Sequence, residues 1–135
     1  MANGVLSTVE RVDDIPLLLA QMKKIQLASL LDKHFPVHGH WKGLGLGHIV
    51  EVWLAYILSE GDHRLNHVES WAEGLLITLE TCLASPVRSL DFTDDRLAII
   101  ERIIVAQVMR LNDKVIHTFI ERKHVIGCWS LAPFI

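Results

Sequence analysis

The sequence predicts an all-α fold, a compact helical bundle of about five to six helices. Apolar residues recur at helical spacing in several segments. Those segments are separated by proline and glycine breaks. Nowhere do alternating apolar and polar runs alternate with tight turns in the way a sheet requires. With 135 residues, half of them apolar, the chain is long enough for one domain with a real core and too short for two of ordinary size.

Asp13 and Asp14 precede Ile15 and Pro16, a cap followed by a proline tolerated in a first helical turn. Leu17, Leu18, Met22 and Ile25 then give a first helix its apolar face. Leu27, Leu30 and Leu31 continue a second short face, ended by Phe35-Pro36 and His38-Gly39-His40, so the two helices form a hairpin. Lys42-Gly43-Leu44-Gly45-Leu46-Gly47 carries glycine at alternate positions. A dinucleotide fingerprint needs a preceding strand and another spacing, which leaves a flexible entry to the next helix. That helix, 48–59, is apolar nearly all round, with Val52, Trp53, Leu54, Tyr56, Ile57 and Leu58, and belongs at the bundle centre. Gly61 ends it.

Asp62 is placed to cap a further helix whose Leu65, Val68, Ala72, Leu75, Leu76 and Leu79 form one stripe, with His63, His67 and Ser70 on its polar face. Ser85-Pro86 breaks the chain again. Thr93 is an N-cap, followed by Asp94 and Asp95 in the first turn, where the helix dipole favours acids. Leu97, Ile100, Ile104, Val108 and Leu111 follow on one face.

Charge and composition narrow the function classes. A net charge of −3 gives no bulk basic excess to hold phosphates, so any DNA contact must be a local patch. Mean hydropathy of +0.31 points to surface that expects further protein. Cys82 and Cys128, the two cysteines, lie too far apart in sequence for a cysteine-rich zinc module or disulfide framework, and a reducing cytoplasm is expected. The N-terminus lacks the basic and apolar regions of a signal peptide. The apolar run 49–58 is interrupted by Glu51 and falls well short of the ~20 residues a membrane span needs, so no membrane partner is expected.

Three constellations invite chemistry. His63 and His67 have the spacing of helical zinc ligands, and Asp62 and Glu69 could complete a set, which would make a small metal-dependent hydrolase. Arg64 stands where a zincin has its catalytic glutamate, and capping explains the same residues without a metal. His34, His38 and His40 gather around a glycine, where a solvated or turn-stabilising role is expected. Asp91, Asp94 and Asp95 would suit a two-metal nuclease only if they converged, and acids at a helix start point in different directions. No nucleophile elbow or activated cysteine is visible.

Longer blocks carry a resemblance. Ile15-Pro16-Leu17-Leu18, Leu30 to Pro36 and His38-Gly39-His40-Trp41-Lys42-Gly43-Leu44 resemble the N-terminal region of bacterial insertion-sequence transposases. Trp53 to Leu65, His67-Val68-Glu69 and Leu90-Asp91-Phe92-Thr93-Asp94-Asp95-Arg96-Leu97 look like that family's successive signatures. Asp62, His63, Arg64, His67, Asp94, Asp95 and Arg96 stand out among them. The similar region is the helical domain of unknown function that precedes the DDE catalytic core in such elements. It implies a transposase-type helical domain over 12–102 and a divergent helical tail over 103–135, ending Gly127-Cys128-Trp129-Ser130-Leu131-Ala132-Pro133-Phe134-Ile135, the mark of a frameshifted or truncated copy.

The resemblance implies a non-catalytic chain. The divalent metal of the family belongs to a catalytic core that this chain stops short of, so no cofactor and no catalytic residue is expected here. The expected role is DNA-end binding or assembly of the transposition complex, with Lys42 and Arg64 as first phosphate contacts. The alternative is a protein-interaction module that pairs with itself or with intact transposase and inhibits it.

Overall fold

The computed structural model describes residues 4 and 6–126. The described residues form six α-helices and two 3₁₀ turns joined by loops, with no strand among them, so the chain is an all-α bundle. The helices are α1 (Ile15–Lys24), α2 (Leu27–His34), α3 (Leu46–Glu60), α4 (Val68–Glu73), α5 (Leu76–Leu83) and α6 (Asp94–Ile126). The 3₁₀ turns are Leu65–His67 and Ser89–Phe92. The chain divides into two compact units, Met1–Ile100 and Glu101–Ile135.

In the first unit, α2 packs on α3, and α1 packs on α2, α3 and α5. The core is built from Ile15, Leu19 and Met22 of α1, Ile49, Val52 and Ala55 of α3, Val68 and Ala72 of α4, Leu79 of α5, Phe92, and Leu97 and Ile100 of α6. The apolar stripe of α1 is therefore Ile15, Leu19 and Met22. Leu17 and Ile25, assigned to it from sequence, are 63% and 62% exposed. Every leucine in a run such as Ile15-Pro16-Leu17-Leu18-Leu19 satisfies some helical phase, and packing chose the phase. Helix α3 is likewise one-sided, because Leu54 and Leu58 are exposed.

The predicted helix across 62–79 is divided. A 3₁₀ turn, α4 and α5 follow one another, and the chain leaves helical geometry at Leu75, with φ −132°. Gly74 precedes that break and lacks the side chain that would favour continuing the helix. Two short helices can aim Val68, Ala72, Leu75 and Leu79 at the core, all of them buried, without the drift of a straight rod.

The N-termini of α1 to α5 have no side-chain cap from the N-cap residue, and at three of them the first turn is satisfied from a distance. Gln26, Gly45 and Leu75 precede α2, α3 and α5 and make no side-chain capping bond. Carboxylates from elsewhere replace them. Glu51 Oε1, on α3, accepts the Ala28 N–H in the first turn of α2 at 3.2 Å. In return Asp32 Oδ1, on α2, accepts the Gly47 N–H in the first turn of α3 at 2.8 Å. Glu10 accepts the N–H groups of Ile77 and Thr78 in the first turn of α5, at 3.0 and 2.8 Å. Each pairs an anion with the positive end of a helix and satisfies otherwise orphaned donors.

The glycine-rich entry to α3 is a packed element. A Cβ on Gly47 would lie 2.7 Å from Ala28 Cα and 2.8 Å from its carbonyl carbon. The expectation of a flexible entry is therefore corrected: glycine lets two backbones touch where α2 meets α3. Gly61, at φ 62°, ends α3 and donates its N–H to Ile57 O at 2.9 Å, as the sequence predicted. Thr93 Oγ1 accepts the Arg96 N–H at 3.3 Å and caps α6. Asp14 does not cap α1 with its side chain; it accepts a bond from Ser59 Oγ at 2.6 Å.

In the second unit, residues 101–126 continue α6. None of residues 101–114 is buried, and Val105, Val108, Met109 and Leu111 are 49–63% exposed. The apolar face assigned to α6 is thus buried at Leu97 and Ile100 and open at Val108 and Leu111. The tail from Gly127 to Ile135, with Cys128, lies outside the described residues.

Candidate functional site

The turn between α2 and α3 is closed by its own side chains. His38 Nδ1 accepts the His40 N–H at 3.2 Å, and the two imidazoles stand 5.1 Å apart, a turn-stabilising role. The Trp41 indole N–H donates to Leu44 O at 2.9 Å. Gly43 adopts φ +86°, a region costly to any residue with a Cβ.

That loop is docked on Asp91, which is fully buried in the 3₁₀ turn Ser89–Phe92. Asp91 Oδ1 accepts bonds from Leu44 N–H at 3.3 Å, Arg88 Nη2 at 3.1 Å and Arg96 Nη1 at 2.9 Å. Its Oδ2 accepts the Arg88 N–H at 2.9 Å. Arg96 also donates through Nη2 to Lys42 O, and its guanidinium lies 4.2 Å from the Trp41 ring centroid, a cation–π contact. A Cβ on Gly43 would collide with Asp91 Oδ1 and Arg88 Nη2. A buried carboxylate thus offsets its desolvation with two guanidiniums and two backbone donors. Lys42, whose carbonyl accepts from Arg96, is exposed, and the Arg88 side chain is 54% exposed. Two guanidiniums meet one buried carboxylate, with Asp94 and Asp95 exposed on the adjoining first turn of α6.

A second cluster surrounds Asp62. Tyr56 donates its hydroxyl to Asp62 Oδ2 at 2.5 Å. Arg64 donates through N–H and Nε to Oδ1 at 3.1 and 3.0 Å, and His67 Nδ1 lies 3.2 Å from Oδ2. The Tyr56 bond, and then those from Arg64, hold the Asp62 carboxyl well below the usual carboxylate range. Burial, the bond to Asp62 and the negative charge there push the Tyr56 phenol up to about 12. Asp62 therefore tethers α3 to the turn after it instead of capping the next helix, which begins at Leu65 without a side-chain cap.

These placements separate the residues singled out from sequence. His63 precedes the 3₁₀ turn and His67 ends it, so their four-residue spacing is not read on one α-helical face. Glu69 sits in the first turn of α4. Among the described residues, no three His, Cys, Asp or Glu side chains are grouped to hold a metal ion. Asp94 and Asp95 are exposed while Asp91 is buried and engaged by arginines. Lys42 and Arg64 flank opposite ends of α3, a helix of 15 residues and so roughly 20 Å long; no single phosphate can bridge them. Arg88 is the contributor that sequence reading missed. Its spacing from Asp91, i to i+3, is the signal that could have exposed it.

No protein-family model, curated protein or solved structure matches the chain. Among the described residues no helix is long and apolar enough to cross a membrane.

Proposed function

We propose that this chain is a non-catalytic N-terminal module of the insertion-sequence transposase type, acting at DNA ends or in assembly of the transposition complex. One observation supports the reading most: two signature blocks distant in sequence, Trp41 to Leu44 and Leu90 to Leu97, are joined through Asp91 and Arg96 into a single hydrogen-bonded platform. Residues that resemble a signature serve architecture there, and the platform presents Lys42 and Arg88. The bond from Arg88 Nη2 to Asp91 holds that guanidinium in place, which limits the side-chain entropy lost when it meets a phosphate. The chain itself requires no cofactor on this reading, and a cytoplasmic setting suits a protein acting on DNA.

The test is binding to duplexes taken from the ends of the element that encodes the chain, measured by fluorescence anisotropy across a salt series. Affinity should fall as salt rises, and Lys42→Ala should reduce the log–log slope by about one. Binding that is absent or indifferent to salt would refute DNA contact.

A second reading is favoured by the open apolar residues of α6, Val105, Val108, Met109 and Leu111. They suit a protein-interaction module that pairs with a second copy or with intact transposase. Concentration-dependent association in sedimentation velocity, without DNA retention, would select it.

A further inference from the structure

We infer that the first unit holds a binding pocket for a small organic carboxylate with a short apolar body, at the junction of α1, α2, α3 and α5. The inference is independent of the transposase reading and concerns a different face from the Asp91 platform. A cavity of about 430 Å³ opens at this junction, within the lower part of the range of small-molecule sites. Its apolar wall is Leu19 and Leu83, 2% and 8% exposed. Its polar lining is Lys23, Gln26, Ser29 and His48.

The chemistry of that lining selects the ligand. Glu51 is the one carboxylate on the wall, and it is almost fully buried. Its oxygens are already engaged, Oε1 by the Ala28 N–H and Oε2 by His48 Nδ1 at 3.1 Å. Of the remaining polar lining groups, the Lys23 ammonium can only donate and the Gln26 amide and Ser29 hydroxyl can donate, while His48 is already turned to Glu51 through Nδ1. A donor-rich lining beside an apolar wall suits a ligand with an acceptor head and a short hydrocarbon body. Lys23 supplies the positive charge. Glu51 is a positioning residue, because its bond to one ring nitrogen orients the His48 imidazole, as outer partners do for ligating histidines.

The test is an amide-resolved NMR titration of the folded chain with butyrate, with acetate, inorganic phosphate and butylammonium in parallel. Saturable shifts are expected at Ser29, His48 and Cys82, the last also on the lining. Butyrate should bind roughly tenfold more tightly than acetate, the effect of two buried methylenes. Lys23→Ala should weaken butyrate about tenfold while leaving the fold intact, since Lys23 is exposed. Absence of saturable shifts at these residues would overturn the proposal. So would phosphate or acetate binding as tightly as butyrate, or a preference for butylammonium.

Discussion

Asp91 joins the α2–α3 loop, the Ser89–Phe92 turn and the first turn of α6 through four hydrogen bonds. Its replacement by asparagine keeps the shape and removes the charge, leaving Arg88 and Arg96 beside a neutral group. Breaking a buried pair in this way costs about 3–5 kcal/mol, so Asp91→Asn should lower the thermal midpoint by at least about 10 °C, read by circular dichroism. Tyr56 offers a cleaner probe, because it is the sole tyrosine. Titration of tyrosinate absorbance should give a value near 12, and Asp62→Asn should bring it down toward the ordinary phenol value. Tyr56 has a folded value above its unfolded one, so its contribution is complete below about 10 and is lost as pH rises toward about 12. Asp62 works in the opposite sense. Its folded value lies below the ordinary one, so its contribution is present above the ordinary carboxylate range and disappears as pH falls through and below it. Glu10 adds to the same acid limb: burial pulls its carboxyl upward, and bonds from Thr78 and Ile77 outweigh that pull, leaving it lowered. In urea melts across acid pH, Asp62→Asn should flatten the loss of stability; an unchanged pH profile would show that the cluster is not linked to folding.

At the scale of elements, α2 and α3 stabilise each other through an exchange of carboxylates. Helix α2 has eight residues and none of them is buried, so it cannot stand on its own core or on intrinsic propensity. Gly47 permits the approach that makes the exchange possible. Gly47→Ala should cost about 2–3 kcal/mol in denaturant unfolding, since backbone and not a flexible side chain must yield. Gly39→Ala is the control, with nothing within 4 Å of the added methyl, and should change stability by less than about 0.5 kcal/mol. The C-terminus of α5 holds the reverse opportunity. Ala84 sits at φ 52° in the left-handed region, so Ala84→Gly should stabilise the chain by about 0.5–1 kcal/mol. The sequence revealed Gly61 and Thr93 because both caps are local. It concealed Glu51, Asp32 and Glu10, whose partners lie 23, 15 and 67 residues away.

For the whole molecule, the two units make different demands. The first buries a core around α3, α4 and the start of α6 while leaving Leu17, Ile25, Leu54 and Leu58 exposed. In the second none of residues 101–114 is buried, and its open apolar residues motivate the interaction reading. If those residues mediate association, Val108→Asp combined with Leu111→Asp should abolish concentration dependence in sedimentation. The thermal transition of the first unit should stay within about 2 °C, as exposed positions outside its core rarely matter. The platform around Asp91 belongs to the same scale, since it unites residues of the α2–α3 loop with the entry to α6. Lys42 was legible as an exposed cation, whereas the bond from Arg96 to its carbonyl was not, because 54 positions of sequence separate the two residues.

The sequence by itself determined the class of fold, the number of helices to within one, the break at Gly61 and the start of α6 at Thr93. Those follow from periodicity, caps and turn residues, which act over a few neighbouring positions. Only tertiary structure decided which leucines of α1 face inward, where the stripe of 62–79 divides, and that Asp62 and Asp91 are anchors within the fold. The physical reason is that burial and charge compensation are properties of a surrounding volume. A carboxylate becomes an anchor when distant donors enclose it, and local sequence records only one participant.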